Sequence, residues 1–285
     1  MTAAGPEQTE GLRSAIDEIV AGSGTSACAV AVRDFESDFR FALHSDRLFH
    51  AASTIKVAIL LALFRAVDEG RLRLTDPLHV RNRFRSAQDG SPFRLDSNTD
   101  GYPQLYRSIG RTALLSDLAK NMIIWSSNLA TNLLLEHIGL DYATQTLPAA
   151  GVSGVHLRRG VEDNKAHDEG VNNETTANGL IELFTALRGD FLSTKSCDAV
   201  IHILLGQKFD SMIPAGLPTH ATVAHKTGEI SMVCHDAGIV YLPERQPYLV
   251  VILTEAKGHA DNRRAIVAKI SKAVYETVTG KAGTK

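Results

Sequence analysis

The chain has 285 residues, enough for a large core, and its hydrophobic (44%) and charged (22%) fractions are those of an ordinary globular protein. A net charge of −2 gives no basis for binding nucleic acid or an anionic membrane surface. The longest apolar run, Val57–Phe64, is far short of the roughly 20 residues a membrane span needs. Cys28, Cys197 and Cys234 are odd in number and widely spaced, with no C-x-x-C. That argues against a disulfide framework or zinc site and for buried free thiols, with one disulfide left open. Met1–Glu10 is polar and lacks the basic and apolar regions of a signal peptide, so the sequence as it stands reads as cytoplasmic, or as periplasmic or secreted with a signal removed.

In chain order, Glu7–Ala21 carries apolar residues at Leu12, Ile16, Ile19 and Val20, the spacing of an amphipathic helix. Ala27–Val32 and Phe39–Leu43 are short strands separated by a polar turn. Ser53–Asp68 is a helix whose centre is apolar nearly all round, so it should be buried, and Gly70 fits its stop. The segment from Arg81 to Arg107 holds Asp89-Gly90, Ser91-Pro92, Asp100-Gly101 and Pro103, a cluster of turn signals. A loop this long is usually a wall or flap of an active site. Helices follow at Leu114–Trp125 and Leu129–Ile138, then a polar loop at Glu162–Asn173, then helices at Thr176–Leu187 and Ser196–Leu205. Strands are expected at Thr222–Lys226, Ala237–Tyr241 and Tyr248–Thr254, before a closing helix at Asp261–Thr277.

Strands lie near both termini and helices fill the middle, an α+β pattern. The N- and C-terminal strands are expected to form one antiparallel sheet flanked by the terminal helices, beside a central all-helical lobe. That gives a single catalytic domain over 7–282, with a sheet lobe at about 7–48 and 213–282 and a helical lobe at about 49–212. A cleft between lobes is where a ligand would be expected.

Three short strings carry chemistry. In Ser53-Thr54-Ile55-Lys56, the i, i+3 spacing puts serine and lysine on one helix face. A serine hydroxyl is a poor nucleophile until a base removes its proton, and a lysine is that base only if its pKa falls far below the ordinary value. Burial and a second cation, such as Lys226, act in that direction. The plain alternative is a capping serine and a solvated lysine, but Lys56 precedes Val57-Ala58-Ile59-Leu60-Leu61, where a surface lysine is out of place. Ser126-Ser127-Asn128 falls between two helices and, taken alone, reads as a turn with N-cap residues. Lys226-Thr227-Gly228 closes a strand, where a lysine and a hydroxyl can hold a carboxylate and glycine admits close backbone approach. Taken alone, it is an ordinary edge-strand turn.

Together and in this order, the strings resemble the S-x-x-K, S-D-N and K-T-G set of class A β-lactamases and penicillin-binding proteins. Leu129-Ala130-Thr131-Asn132-Leu133-Leu134 strengthens the resemblance. It implies a β-lactamase/transpeptidase-like fold and a serine hydrolase opening a β-lactam ring. Ser53 would be the nucleophile, with Lys56 handling its proton. Ser126 would protonate the leaving nitrogen, and Asn128, Lys226, Thr227 and Gly228 would bind substrate. The N–H groups of Ser53 and Glu229 would form the oxyanion hole. A glutamate after the glycine is unusual, and its charge at a cleft rim would oppose an anionic substrate. Ser127 stands where the family has aspartate, which implies a changed hydrogen-bond network.

The deacylation base is the weak point. Counted without gaps, the family glutamate's position holds Val161; Glu162 is next to it, and a one-residue shift restores the base. Asp163, Asp168 and Glu169 are weaker candidates, and Asn164 is the nearest counterpart of the water-holding asparagine. Arg159 is spaced to close this loop with Glu174. Arg263 or Arg264 could reach the substrate carboxylate, and Tyr102 or Tyr106 could line the cleft.

The competing readings are a D,D-peptidase or esterase with slow deacylation, and a penicillin-acylated sensor that never turns over. No H-E-x-x-H or other metal motif is present, and no cofactor is expected. His225 and His235 read as structural. The resemblance implies a small β-lactam or peptidoglycan-like substrate, no nucleic acid or membrane partner, a monomer, and export, which the polar N-terminus does not show.

Overall fold

The computed structural model describes residues 6–280; Met1–Gly5 and the expected domain end at 281–282 lie outside the described residues. The main elements are α1 (Pro6–Val20), β1 (Thr25–Asp34), β2 (Arg40–Leu43), α2 (Lys56–Asp68), α3 (Leu115–Ile124), α4 (Asn128–Ile138), α5 (Leu140–Ala149), α6 (Asn164–Asp168), α7 (Ala177–Ala186), α8 (Thr194–Leu205), β3 (Thr222–Ile230), β4 (Val233–Tyr241), β5 (Tyr248–Ala256) and α9 (Ala260–Thr279). The chain divides into two compact units. One runs through Thr54 and includes Thr175–Phe184 and the residues from Phe209 onward; the other holds Ile55–Glu174 and Thr185–Lys208.

The first unit is built on a five-stranded sheet in the order β3-β4-β5-β1-β2, antiparallel throughout. The expected pairing of N- and C-terminal strands is therefore present, with Val30 opposite Ile252 and Val32 opposite Val250. Side chains alternate across a strand. Cys28, Val30 and Val32 of β1, with Val250 and Ile252 of β5, form one apolar cluster with Leu12 and Ile16 of α1 and Ile266, Val267, Ile270 and Val274 of α9. The two terminal helices thus cover one sheet face, as their apolar spacing requires.

Strands β3 and β4 are longer than the sequence pattern implies. Thr227-Gly228 reads as a turn, and Cys234-His235-Asp236 interrupts the apolar run. Yet Thr227, Gly228 and Glu229 pair with Asp236, His235 and Cys234. The polar residues are tolerated because they find partners: His225 Nδ1 lies 2.9 Å from Asp236 Oδ1, and the N–H of Ile213 donates to Asp236 Oδ2 at 3.0 Å.

In the second unit, α2 is buried from Lys56 through Phe64. Truncating one of its leucines to alanine would cost about 2–5 kcal/mol. The rest of this unit is helices joined by loops and short strands, among them the ladders Pro77–His79 with Thr112–Leu114 and Phe84–Arg85 with Pro92–Phe93. The turn-rich segment is held by side chains. Asn82 is hydrogen-bonded twice to the Leu95 backbone, and the carboxylate of Asp163 accepts from Ser86 Oγ and the Ala87 N–H, both at 2.8 Å. Cys28, Cys197 and Cys234 are all free, and burial pushes the Cys28 and Cys234 thiols up to about 12.

Candidate active site

The polar hub of the second unit is centred on Lys56. Its side chain is fully buried at the first turn of α2, and its Nζ donates to Ser126 O at 2.7 Å, Ser126 Oγ at 3.0 Å and Asn128 Oδ1 at 2.7 Å. An ammonium has three N–H donors, and here each has an acceptor. Burial lowers the Lys56 pKa to about 7, against the opposing pull of Asp100 and Glu162, whose negative charges raise it. A lysine so placed loses its proton near neutral pH, and its lone pair can then accept one.

Ser126 and Asn128 reach Lys56 because the chain turns sharply between α3 and α4. Ser126 has φ +57°, a left-handed conformation that residues with a Cβ rarely adopt. Ser127 is the N-cap of α4, its Oγ accepting from the Ala130 N–H at 3.2 Å. The N–H of Leu129 takes a different acceptor, Asp100 Oδ2, at 2.8 Å. Of the two tyrosines in the loop, Tyr106 donates its hydroxyl to Asp100, and Tyr102 stacks on Trp125 with ring centroids 6.0 Å apart.

The loop after Leu157 brings Glu162 to this hub. Asn132, buried on α4, accepts from the Val161 N–H at 2.8 Å and donates to Val161 O at 2.9 Å. This two-point clamp fixes the backbone at Val161. A Cβ on Gly160 would come within 2.9 Å of Asn132 Oδ1, so the loop lies directly on that side chain. The next residue, Glu162, has φ +58°, and its Oε1 accepts from Asn128 Nδ2 at 3.2 Å. Glu162 is solvent-exposed, whereas Lys56 is not. Asp163 caps α6 and binds the Ser86–Ala87 segment, so its carboxylate is fully engaged.

The loop is closed by Arg158, not by Arg159 as the spacing implied: Arg158 Nη1 pairs with Glu174 Oε2. Arg159 points inward instead and donates to Val171 O at 2.7 Å and Gly160 O at 3.1 Å. The two neighbouring arginines thus take different partners, and one position decides which of them meets the glutamate.

The first unit carries the other group of candidates. Ser53 is half-buried in the 3-10 turn Ala52–Ile55, which leads directly into α2. The turn starts at Ala52, whose φ is +46°, and is tied by the Ala52 N–H to His50 Nδ1 at 3.0 Å and by Thr54 Oγ1 to Ala51 O at 2.6 Å. Strand β3 packs on this turn. A Cβ at Gly228 would meet Thr54 Cγ2 at 3.1 Å and Ala51 O and Ala52 Cβ at 3.2 Å. His235, opposite Gly228 in the ladder, accepts the Thr254 N–H at Nδ1, so its Nε2 carries the hydrogen and donates to His50 O at 3.1 Å. Burial lowers its pKa to about 4, so it is neutral at physiological pH.

Lys226 is fully buried and its Nζ donates to Thr227 O at 2.8 Å. Thr227 is buried beside it. Glu229 lies on the opposite strand face from Lys226 and Gly228, the face that meets α9. Its carboxylate takes Arg263 Nη2 at 3.2 Å and Arg264 Nε at 2.9 Å. Arg263 and Arg264 are therefore both engaged with Glu229, and the Glu229 charge is met by two guanidinium groups. The sequence reading did not single out Asp100 or Asn132 as supports. The one signal for Asn132 was a polar residue inside the apolar Leu129–Leu134 run.

The model of the beta-lactamase enzyme family matches residues 11–278. A β-lactamase of Streptomyces albus G is 26% identical over 283 residues, which span 96% of this chain and 83% of that protein. A β-lactamase from Xanthomonas campestris pv. campestris superposes with a TM-score of 0.83 at 25% identity, covering 95% of this chain and 98% of the other. A point variant of PBP-A, in its acyl-enzyme complex with penicillin G, gives a TM-score of 0.80 at 25% identity over 96% of this chain and 97% of the other. With its β-lactamase/transpeptidase fold and its likeness to both class A β-lactamases and PBP-A, the chain belongs to the beta-lactamase enzyme family.

Proposed function

We propose that the protein is a serine β-lactamase working through an acyl-enzyme on Ser53. Neutral Lys56 takes the Ser53 proton as Oγ attacks the lactam carbonyl. The N–H groups of Ser53 and Glu229 receive the developing oxyanion, each contributing about 3–4 kcal/mol in the transition state. As the C–N bond breaks, Ser126 Oγ gives its proton to the nitrogen and regains one from Lys56 Nζ, 3.0 Å away. Lys226 and Thr227 hold the substrate carboxylate, and Asn128 its side-chain amide. Water activated by Glu162 then attacks the ester and releases the opened acid. The observation that carries this reading is the buried Lys56 amine, hydrogen-bonded to Ser126, with its pKa lowered by burial to about 7.

A second reading is a D,D-peptidase or esterase that deacylates slowly when a lactam acylates it, or a penicillin sensor that does not deacylate at all. Val161 at the family glutamate's position and the likeness to PBP-A favour it; the reach of Glu162 to Asn128 favours the first.

The experiment is to mix the protein with penicillin G and follow intact mass and lactam loss together. A transient adduct on Ser53 with catalytic lactam loss establishes a β-lactamase. Glu162→Gln should then lengthen the adduct lifetime by about 100-fold or more while adduct formation persists. A lasting adduct in the parent chain establishes the second reading. No adduct and no lactam loss sinks both penicillin readings and leaves esters and amides to be tried.

A further inference from the structure

We propose that Asp100 is a positioning residue for the Lys56 hub: a buried carboxylate from the long irregular loop that locks the entry of α4 and so holds Ser126 and Asn128 on Lys56. The inference rests on the reading of Lys56 as the group that moves the serine proton.

Asp100 is 7% exposed and all its hydrogen bonds face inward. Oδ2 accepts from the Leu129 N–H at 2.8 Å and from Tyr106 Oη at 3.1 Å; Oδ1 accepts from the Tyr102 N–H at 2.8 Å. Leu129 follows Asn128 directly, so this bond fixes the peptide just beyond the Lys56 ligand. Gly101 brings the loop onto the same turn: a Cβ there would lie 1.8 Å from Trp125 O, so only glycine allows the contact. The left-handed Ser126 thus sits in a turn gripped on one side by Gly101 and on the other by Asp100. Such a conformation persists only where its surroundings impose it.

The hydroxyl of Ser127, between Ser126 and Asn128, is neutral and accepts from the Ala130 N–H. The negative charge at the start of α4 comes instead from Asp100, which also suits the positive end of the helix dipole. The ionisable groups acting on Lys56 are Asp100 and Glu162; its hydrogen-bond acceptors, on Ser126 and Asn128, are neutral. Both carboxylates favour the ammonium, so Asp100 limits how far burial depresses the lysine.

The test is Asp100→Asn in the full chain, which keeps an oxygen for Leu129 but removes the charge. The titration of Lys56 is followed through its 13Cε resonance, assigned by its loss in Lys56→Arg. Removing the carboxylate favours the neutral amine, so the midpoint should fall by about 1 pH unit, and the acid limb of penicillin G acylation should move down with it. An unmoved midpoint overturns the proposal, whatever happens to the rate. If the variant does not fold, the parent answers: the Leu129 amide must be strongly protected from hydrogen exchange, and free exchange there overturns the proposal. A lowered midpoint, where penicillin G never acylates the parent, supports the role of Asp100 while refuting the β-lactamase reading, so the two can fail separately.

Discussion

Lys56 and Lys226 are both fully buried, but the two regions hold their lysines by different means. Around Lys56 the acceptors come from a turn and a neighbouring loop, through Ser126 and Asn128, with left-handed backbone at Ser126 and Glu162. Lys226 projects from the middle of β3, where a nine-residue ladder with β4 sets every position. The first arrangement is made by side chains on irregular backbone and can tune a proton. The second is made by regular backbone and close packing and can hold a group still. Substitutions in the first region should therefore change rates and pH profiles, and substitutions in the second should change stability first.

The sharpest break in this contrast is Lys56→Met. It should cut the rate of penicillin G acylation by about 10²–10⁴-fold, measured by adduct formation, while leaving the fold intact. In the parent, the same rate should rise with pH through a midpoint near 7, because Lys56 must be neutral to accept the serine proton. A rate that is flat from pH 5 to 9 would remove Lys56 from the role.

Next in size is His235→Gln, in the second region. His235 is neutral and buried, with a pKa of about 4 against 6.5 in the unfolded chain. Its stabilising contribution is fully present above pH 6.5 and is lost as pH falls toward 4, about 3 kcal/mol over that window. Glutamine does not titrate, so the gap in stability between parent and variant should shrink as pH falls from 7 to 4.5 in urea melts. A parallel pH dependence for the two proteins would place the acid sensitivity elsewhere.

Gly228→Ala probes packing in that region directly. The new methyl would press on Thr54, Ala51 and Ala52 at 3.1–3.2 Å, and we expect a loss of about 1–3 kcal/mol in thermal unfolding. The smallest effect should come from Arg158→Ala. It removes a partly exposed ion pair with Glu174, worth less than about 1 kcal/mol, and should leave acylation unchanged. A large loss of activity there would mean that the loop carrying Glu162 depends on its outer clasp more than on Asn132.

Much of the frame was legible in the sequence because it depends on local periodicity. The apolar stripes at Leu12 and Ile16 placed α1, and the apolar run after Lys56 implied a buried lysine. The limits of β3 and β4 were not legible, because Gly228 and Cys234-His235-Asp236 look like interruptions until their cross-strand partners are known. Helix α5 was passed over; it lies between Gly139 and Gly151 and carries Pro148 in its last turn, all of which read as loop signals. The choice between Arg158 and Arg159 turned on a single position in an irregular loop.

Residue order alone implied the α+β frame, the sheet built from the two ends of the chain, and the three strings that brought serine, lysine, asparagine and glycine into candidate positions. These follow from residue type and spacing along one stretch. It took the folded chain to show that Glu162, one place past Val161, reaches Asn128, that Asp100 anchors α4 from 29 residues away, and that Glu229 faces Arg263 and Arg264. Each of these rests on a backbone dihedral or a distant hydrogen bond. Such contacts form where buried polar groups must find partners, and residue spacing along the chain does not specify them.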